Sequence, residues 1–247
     1  MALQEREIDY VIDGATHAGL LVWDDSVAGP RPGVLVSHAW AGRSQFEDDK
    51  ARWLAERGYA GFALDMYGKG VRGSSTEENS ALMSPFMEDR GKLLRHVNAA
   101  LDTVREQQEV ASGDCAGMGF CFGGLCMLDL ARSGAQVAGV VSVHGLLTPP
   151  SNAPASSVHA RVLCLHGYDD PMAPPQSMLD LANEMTAAGA DWQLHAYGGT
   201  MHAFTSPAAN DPDFGTVYSA SADARAHAAI EGFLAECFSQ GAPDTIA

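Results

Sequence analysis

The segment Gly119-Phe120-Cys121-Phe122-Gly123 follows a short apolar run and opens a helical stretch, and it restricts the fold more than any other part of the chain. A G-x-C-x-G of this kind fits the strand-to-helix turn called the nucleophile elbow, whose central residue is held in a strained backbone conformation. Residues two before and two after it then crowd together, so only very small side chains fit, and Gly119 and Gly123 stand at those positions. The usual elbow carries Ser. Cys121 would instead present its sulfur at the positive end of a helix, where the dipole favours an anion. On this motif alone the cysteine reads more readily as one more small buried apolar residue, so the elbow reading needs a base and an orienting acid elsewhere in the chain.

Composition supplies the outer limits. With 247 residues, 46% of them apolar, the chain can bury a full core, and a single domain spanning residues 1–247 is expected. A formal charge of −16 argues against sequence-independent nucleic-acid binding and against attachment to an anionic membrane, both of which need clustered Lys and Arg. No stretch has the pattern of an export signal or the length of a membrane span, so a cytoplasmic location is expected. Cys115, Cys121, Cys126, Cys164 and Cys237 form no C-x-x-C pair and read as free thiols.

Taken in order, residues 6–24 alternate around Asp13-Gly14 as an opening hairpin, and Val34-Leu35-Val36 is a short apolar run suited to a strand covered on both faces. Ser44 and Glu47 have capping-box spacing ahead of a helix with Phe46 and Leu54 on its buried face. A strand over 59–64 ends at Asp65. The stretch 68–80 reads as a long loop, a partial lid, and Ser84-Pro85 as the start of a long helix carrying Phe86, Leu93, Val97, Leu101 and Val104. After the elbow come strands at 137–143 and 162–165, a helix marked by Met178, Leu181 and Met185, a strand at 192–197 and a closing helix with Ile230, Phe233, Leu234 and Cys237 inward. The connection 147–157 is too short for an inserted cap domain. This is an α/β pattern, a mostly parallel sheet with an N-terminal antiparallel hairpin and helices on both faces, in which ligands bind at the carboxyl ends of the strands.

The polar residues of interest lie at those ends. The α/β-hydrolase order is nucleophile, acid, then His, each after a successive strand, and Cys121, Asp170 and His202 satisfy it. Asp169 is the rival acid. His38, His144 and His166 also follow strands and invite a metal reading, which is disfavoured because buried histidines more often bond to the backbone; no metal or cofactor is expected.

Gly119-Phe120-Cys121-Phe122-Gly123-Gly124, Gly167-x-x-Asp170-Pro171 and Gly199-Thr200-Met201-His202-Ala203-Phe204 resemble the elbow, acid and histidine motifs of the dienelactone hydrolase family, from about the first apolar strand to the last helix. The resemblance implies an α/β-hydrolase fold without a large cap and hydrolysis of an ester or lactone through a cysteine acyl-enzyme, with no cofactor. Asp170 is preferred to Asp169 because it matches the family spacing. The chemistry assigns attack to Cys121, proton transfer to His202 and imidazole orientation to Asp170, with the oxyanion held by the backbone N–H groups of Phe122 and Trp40.

Two departures bear on substrate. Family members carry a Glu where this chain has Ala39, and the substrate-binding Arg shortly after the histidine is absent, since Ala203-Phe204-Thr205-Ser206 follows His202. Arg72 and Arg90 are the basic residues able to reach the site from the segment after Asp65. A site lined by Trp40, Tyr67, Phe122 and Phe204 suits a neutral or aromatic small-molecule ester or lactone. A homo-oligomer is compatible with this reading. Two other classes stay open, a non-catalytic binding protein on a hydrolase scaffold and a redox protein using Cys121; the second lacks a resolving Cys in a C-x-x-C pair, and turnover of a chromogenic ester separates the hydrolase from both.

Overall fold

Asp13 and Gly14 take φ values of 49° and 81°, the left-handed pair that a two-residue hairpin turn demands. Strands β1 (Leu3–Ile12) and β2 (Ala15–Asp24) accordingly pair antiparallel from Leu3↔Asp24 to Ile12↔Ala15. These come from a computed structural model of the chain, in which the described residues are 2–151 and 158–239. The hairpin starts an eight-stranded sheet continued by β3 (Arg31–Ser37), β4 (Ala60–Ala63), β5 (Val110–Phe120), β6 (Gly139–Val143), β7 (Arg161–Gly167) and β8 (Trp192–Tyr197). The spatial order is β1-β2-β4-β3-β5-β6-β7-β8, antiparallel across β1, β2 and β4 and parallel from β4 to β8.

Helices α1 (Gln45–Ala55), α2 (Thr76–Glu88), α3 (Arg90–Arg105), α4 (Phe122–Arg132), α5 (Pro175–Ala187) and α6 (Ala220–Phe238) lie among these strands, with a small hairpin of β9 (Asn210–Asp211) and β10 (Thr216–Val217) before α6. Successive residues of a strand face opposite sides, so Leu35 packs with Leu93, Val97 and Leu125 of α3 and α4, while Val34 and Val36 pack with Leu54 of α1 and Ile230 and Phe233 of α6. Both faces are therefore covered, which is why the central strands are continuous apolar runs.

The region after β4 differs from the expected loop and helix. Helix α2 begins within the stretch read as a loop, with Ser75 as its cap, the Ser75 Oγ accepting from the Glu78 N–H at 3.2 Å. Pro85 lies inside that helix rather than at the first turn of the next one, and Ser84 donates its hydroxyl to the Ser80 carbonyl. The long helix starts instead after Asp89, whose carboxylate accepts from the Lys92 N–H at 2.9 Å. Of the connection expected at 147–157, residues 152–157 lie outside the described residues. Among the described residues no helix is long and apolar enough to cross a membrane.

Candidate active site

Cys121 sits between β5 and α4 at φ 54° and ψ −115°, a strained conformation for a residue with a side chain. The turn is tight enough that a Cβ on Gly119 would stand 2.1 Å from the Gly123 carbonyl oxygen, and one on Gly123 would stand 2.2 Å from the carbonyl oxygen of Ser37. This second approach presses the end of β3 and the His38–Trp40 loop against the start of α4. Gly123→Ala is expected to cost about 3 kcal/mol or more, since backbone must move. For a chain of this length that is roughly 6–12 °C in Tm, read by thermal denaturation.

The structure brings His202 and Asp170 together. His202 Nδ1 lies 2.7 Å from Asp170 Oδ2, and the other carboxylate oxygen accepts from the Met172 N–H at 2.8 Å. Both side chains are buried, whereas Asp169 is exposed. Their loops can meet because Gly167 has no side chain, for a Cβ there would stand 2.4 Å from the Thr200 carbonyl oxygen. The carboxylate fixes the hydrogen on Nδ1 and leaves the Nε2 lone pair for proton transfer. Burial alone would push the His202 pKa down, but the Cys121 sulfur and the Asp170 carboxylate outweigh it and raise it to about 10. His202 Nε2 is itself buried and has no hydrogen-bond partner among the described residues.

Of the other strand-end histidines, His38 and His166 bond to the backbone and His144 to a side chain. His38 Nε2 accepts from the Met66 N–H at 3.1 Å, so its Nδ1 carries the hydrogen and donates to the Ala39 carbonyl. His166 Nε2 donates to the Ala173 carbonyl at 2.8 Å. His144 Nε2 bonds to the Thr205 hydroxyl at 2.9 Å, and its ring packs edge-on to His202 at 5.2 Å. Burial, then the neighbouring His202, holds its pKa well below the usual range. Among the described residues no three His, Cys, Asp or Glu side chains are grouped to hold a metal ion.

The three expected pocket aromatics Tyr67, Phe122 and Phe204 differ in exposure. Tyr67 is half-buried, packs on Phe122 at 6.1 Å and donates its hydroxyl to the Trp40 carbonyl at 3.0 Å. Asp65 shapes this loop by accepting from the Tyr67 and Gly68 amides. The Phe122 and Phe204 side chains, expected to line the pocket, have no exposed surface. Phe122 belongs to the core on the α3 and α4 face, and Phe204 packs between Tyr197 and His144 on the α6 face, so both are core side chains. The Phe122 amide, first in α4, still lacks an intrahelical acceptor.

Some residues escaped the sequence reading. Phe214, at the turn of the β9–β10 hairpin and 42% exposed, stacks on Trp40 at 5.8 Å and 20°. The hairpin is tied to His202 by His202 N–H to Gly215 O (3.0 Å) and Val217 N–H to His202 O (3.1 Å), so this aromatic pair links the elbow side of the site to the histidine side. Its sequence signal was weak, an aromatic on the Pro212, Asp213 and Gly215 turn. Glu47 does more than cap α1. Buried, it accepts from the Ser44 amide and hydroxyl and, at 3.5 Å, from the amide of Ala39, where the family Glu is missing. Arg90 does not reach the site as a free cation, since it forms a two-pronged pair with buried Asp129 at 2.6 and 2.8 Å.

The profile of the dienelactone hydrolase family matches residues 18–238. A dienelactone hydrolase-like promiscuous phosphotriesterase from metagenomic libraries is 34% identical, with a TM-score of 0.91 over 96% of this chain and 99% of that one. An uncharacterised protein of Caenorhabditis elegans is 33% identical over 151 residues, 60% of this chain and 96% of that one. A probable 2-oxo-3-(5-oxofuran-2-ylidene)propanoate lactonase of Bradyrhizobium is 27% identical over 216 residues, 83% of this chain and 86% of that one. The fold is that of an α/β-hydrolase, with no cap domain among the described residues. The chain belongs to the dienelactone hydrolase family, hydrolases of carboxylic esters and lactones.

Proposed function

We propose that the chain hydrolyses neutral carboxylic esters or lactones through an acyl-enzyme on Cys121, with His202 moving protons and Asp170 orienting the imidazole. The observation that carries this is the buried 2.7 Å bond between Asp170 and His202 beside a cysteine held at positive φ at a helix start. A raised imidazole pKa favours the imidazolium, which stabilises a sulfur anion as nucleophile and supplies the proton for the leaving alcohol. The amides of Phe122 and Trp40 are the donors assigned to the oxyanion, and the contact of Gly123 with the end of β3 keeps their two segments adjacent. Water then attacks the acyl-sulfur carbonyl with His202 as base, and the thiolate leaves. The test is intact mass spectrometry of protein quenched during turnover of 4-nitrophenyl acetate. An acetyl adduct mapped to Cys121 is expected, and turnover without any adduct under burst conditions would discard the acyl-enzyme.

Substrate charge is the second expectation. A desolvated carboxylate needs a positioned donor, and the Bradyrhizobium relative is named for a lactone that bears one. Here no Arg stands just after His202, Arg90 is paired with Asp129, and the charge of −16 adds a repulsive background. Arg72 lies on an exposed loop beside Gly42. A methyl ester of a dienelactone carboxylate is expected to exceed the free acid in kcat/KM by about tenfold or more, ~1.4 kcal/mol in transition-state binding. Preference for the acid at physiological salt would reverse the assignment and point to Arg72. The metagenomic relative makes a neutral phosphotriester a useful addition to the same panel.

The Trp40–Phe214 stack predicts a preference for flat acyl or aryl groups. Phe214→Ala is expected to raise KM for aryl esters about three- to tenfold while leaving ethyl acetate within twofold, the range of one aromatic contact. Equal losses for both substrates would show that Phe214 only supports the fold of its hairpin.

A further inference from the structure

An amide can hold an oxyanion only if the peptide that carries it is aimed, and the peptide joining Ala39 to Trp40 is aimed from its other side. Its N–H, on Trp40, has no hydrogen-bond partner among the described residues. Its C=O, on Ala39, accepts from the Gly42 N–H at 3.2 Å and from the His38 Nδ1–H at 2.6 Å, which uses both lone pairs. The peptide is trans, so its C=O and N–H point in opposite directions within one plane. Fixing the carbonyl therefore fixes the direction of the Trp40 amide.

The Gly42 bond alone closes a turn over residues 39–42, and such a turn can still tilt as a unit. His38 joins it to the rest of the fold. Its Nε2 accepts from the Met66 N–H at 3.1 Å, just past the end of β4, and its ring lies edge-on to Tyr67 at 4.7 Å and against Phe122 at 6.3 Å. The side chain has no exposed surface. Burial holds its pKa below the usual range, so the ring is neutral at physiological pH and has one donor and one acceptor, each of them used.

We propose that His38 is a positioning residue for ester hydrolysis, holding the peptide between Ala39 and Trp40 so that the Trp40 N–H is aimed at the developing oxyanion. This rests on the acyl-enzyme reading, in which the Phe122 and Trp40 amides are the oxyanion donors. His38 acts through the peptide and not on the substrate.

Two variants separate aiming from support of the fold. Asn places an amide nitrogen near the position of Nδ1 and cannot reach Met66, whereas Gln places an amide oxygen near Nε2 and leaves the Ala39 carbonyl without its side-chain donor. Each variant loses one of the two bonds. Acylation and deacylation both pass through the oxyanion, so His38→Gln is expected to lower kcat for 4-nitrophenyl acetate about tenfold or more with KM within about threefold. His38→Asn should stay within about threefold of the wild type in both. A residue that only supports the fold would give equal losses or the reverse order.

The second measurement uses 2,2,2-trifluoroacetophenone. Cys121 Sγ bonds to its carbonyl carbon, the π pair moves to oxygen as a tetrahedral oxyanion, and the thiol proton stays on His202. In the wild type the adduct is expected to give a ¹⁹F resonance that Cys121→Ala lacks and to move the Trp40 amide proton downfield. Its inhibition constant should rise about tenfold or more in His38→Gln and stay within about threefold in His38→Asn. No adduct on Cys121 would remove the acyl-enzyme and the role of His38 with it. An adduct that leaves the Trp40 amide unmoved overturns the role of His38 alone, as does an unchanged kcat in His38→Gln or a larger loss in His38→Asn.

Discussion

Cys121→Ala is expected to abolish hydrolysis of activated aryl esters, lowering kcat by roughly 10⁴-fold or more, the order found when a covalent nucleophile is deleted from a comparable hydrolase. The expectation rests on the absence of a substitute. Cys126 and Cys164 are fully buried in the core, where burial pushes the Cys164 thiol up to about 12 and that of Cys126 higher still. Burial raises Cys115 as well, and Cys237 lies on α6 against Gly139, away from the strand ends that carry His202. None of these thiols can reach the imidazole. Removing the sulfur also removes the largest influence that raises the His202 pKa, so the imidazole of the variant titrates lower than in the wild type. Initial rates with 4-nitrophenyl acetate, corrected for buffer hydrolysis, measure the first effect and a ¹⁵N titration of His202 the second. Undiminished turnover in this variant would remove Cys121 from the mechanism.

Asp170→Asn should lower kcat by about 10⁴-fold, whereas Asp169→Asn should stay within about twofold. Asp170 is the carboxylate bonded to His202 Nδ1, and an amide there can turn its NH₂ toward the ring and stabilise the tautomer with the hydrogen on the wrong nitrogen. It also withdraws a hydrogen bond and a negative charge that help hold the imidazolium, so the His202 pKa falls from its raised position. The Met172 amide that now donates to Oδ1 can bond to the amide oxygen, which keeps the loop in place and makes the loss chemical rather than structural. Asp169 is exposed, and it is its backbone N–H that bonds, to the Thr200 carbonyl. Parallel kcat measurements on the two variants decide the matter. A large loss for Asp169→Asn with a small one for Asp170→Asn would transfer the orienting role to Asp169.

The legible features were those that local chemistry enforces. A two-residue hairpin needs positive φ at both positions, and Asp13-Gly14 advertised it. Capping boxes are read within four residues, and Ser44 with Glu47 forms one. The same local logic explains the misplaced start of α3, because three start signals stand between 74 and 90. Ser75 with Glu78 and Asp89 are the caps used, while Pro85 is absorbed inside α2, which the spacing alone did not reveal.

By itself, the sequence determined the elbow, the strand-and-helix alternation around it and the order of Cys121, Asp170 and His202, because a strained turn and a both-sides-covered strand limit which residues can stand at each place. Only the tertiary structure decided which of two adjacent aspartates is buried against His202, that the Phe122 and Phe204 rings are core, and that Arg90 is already bound to Asp129 across 39 residues. The pairing of Trp40 with Phe214, and of His38 with the Met66 amide, was likewise invisible along the chain. Burial and contact between distant segments are properties of packing, set by how the sheet and its helices close over one another. A side chain's type says what it can do, and its neighbours in space decide whether it is free to do it.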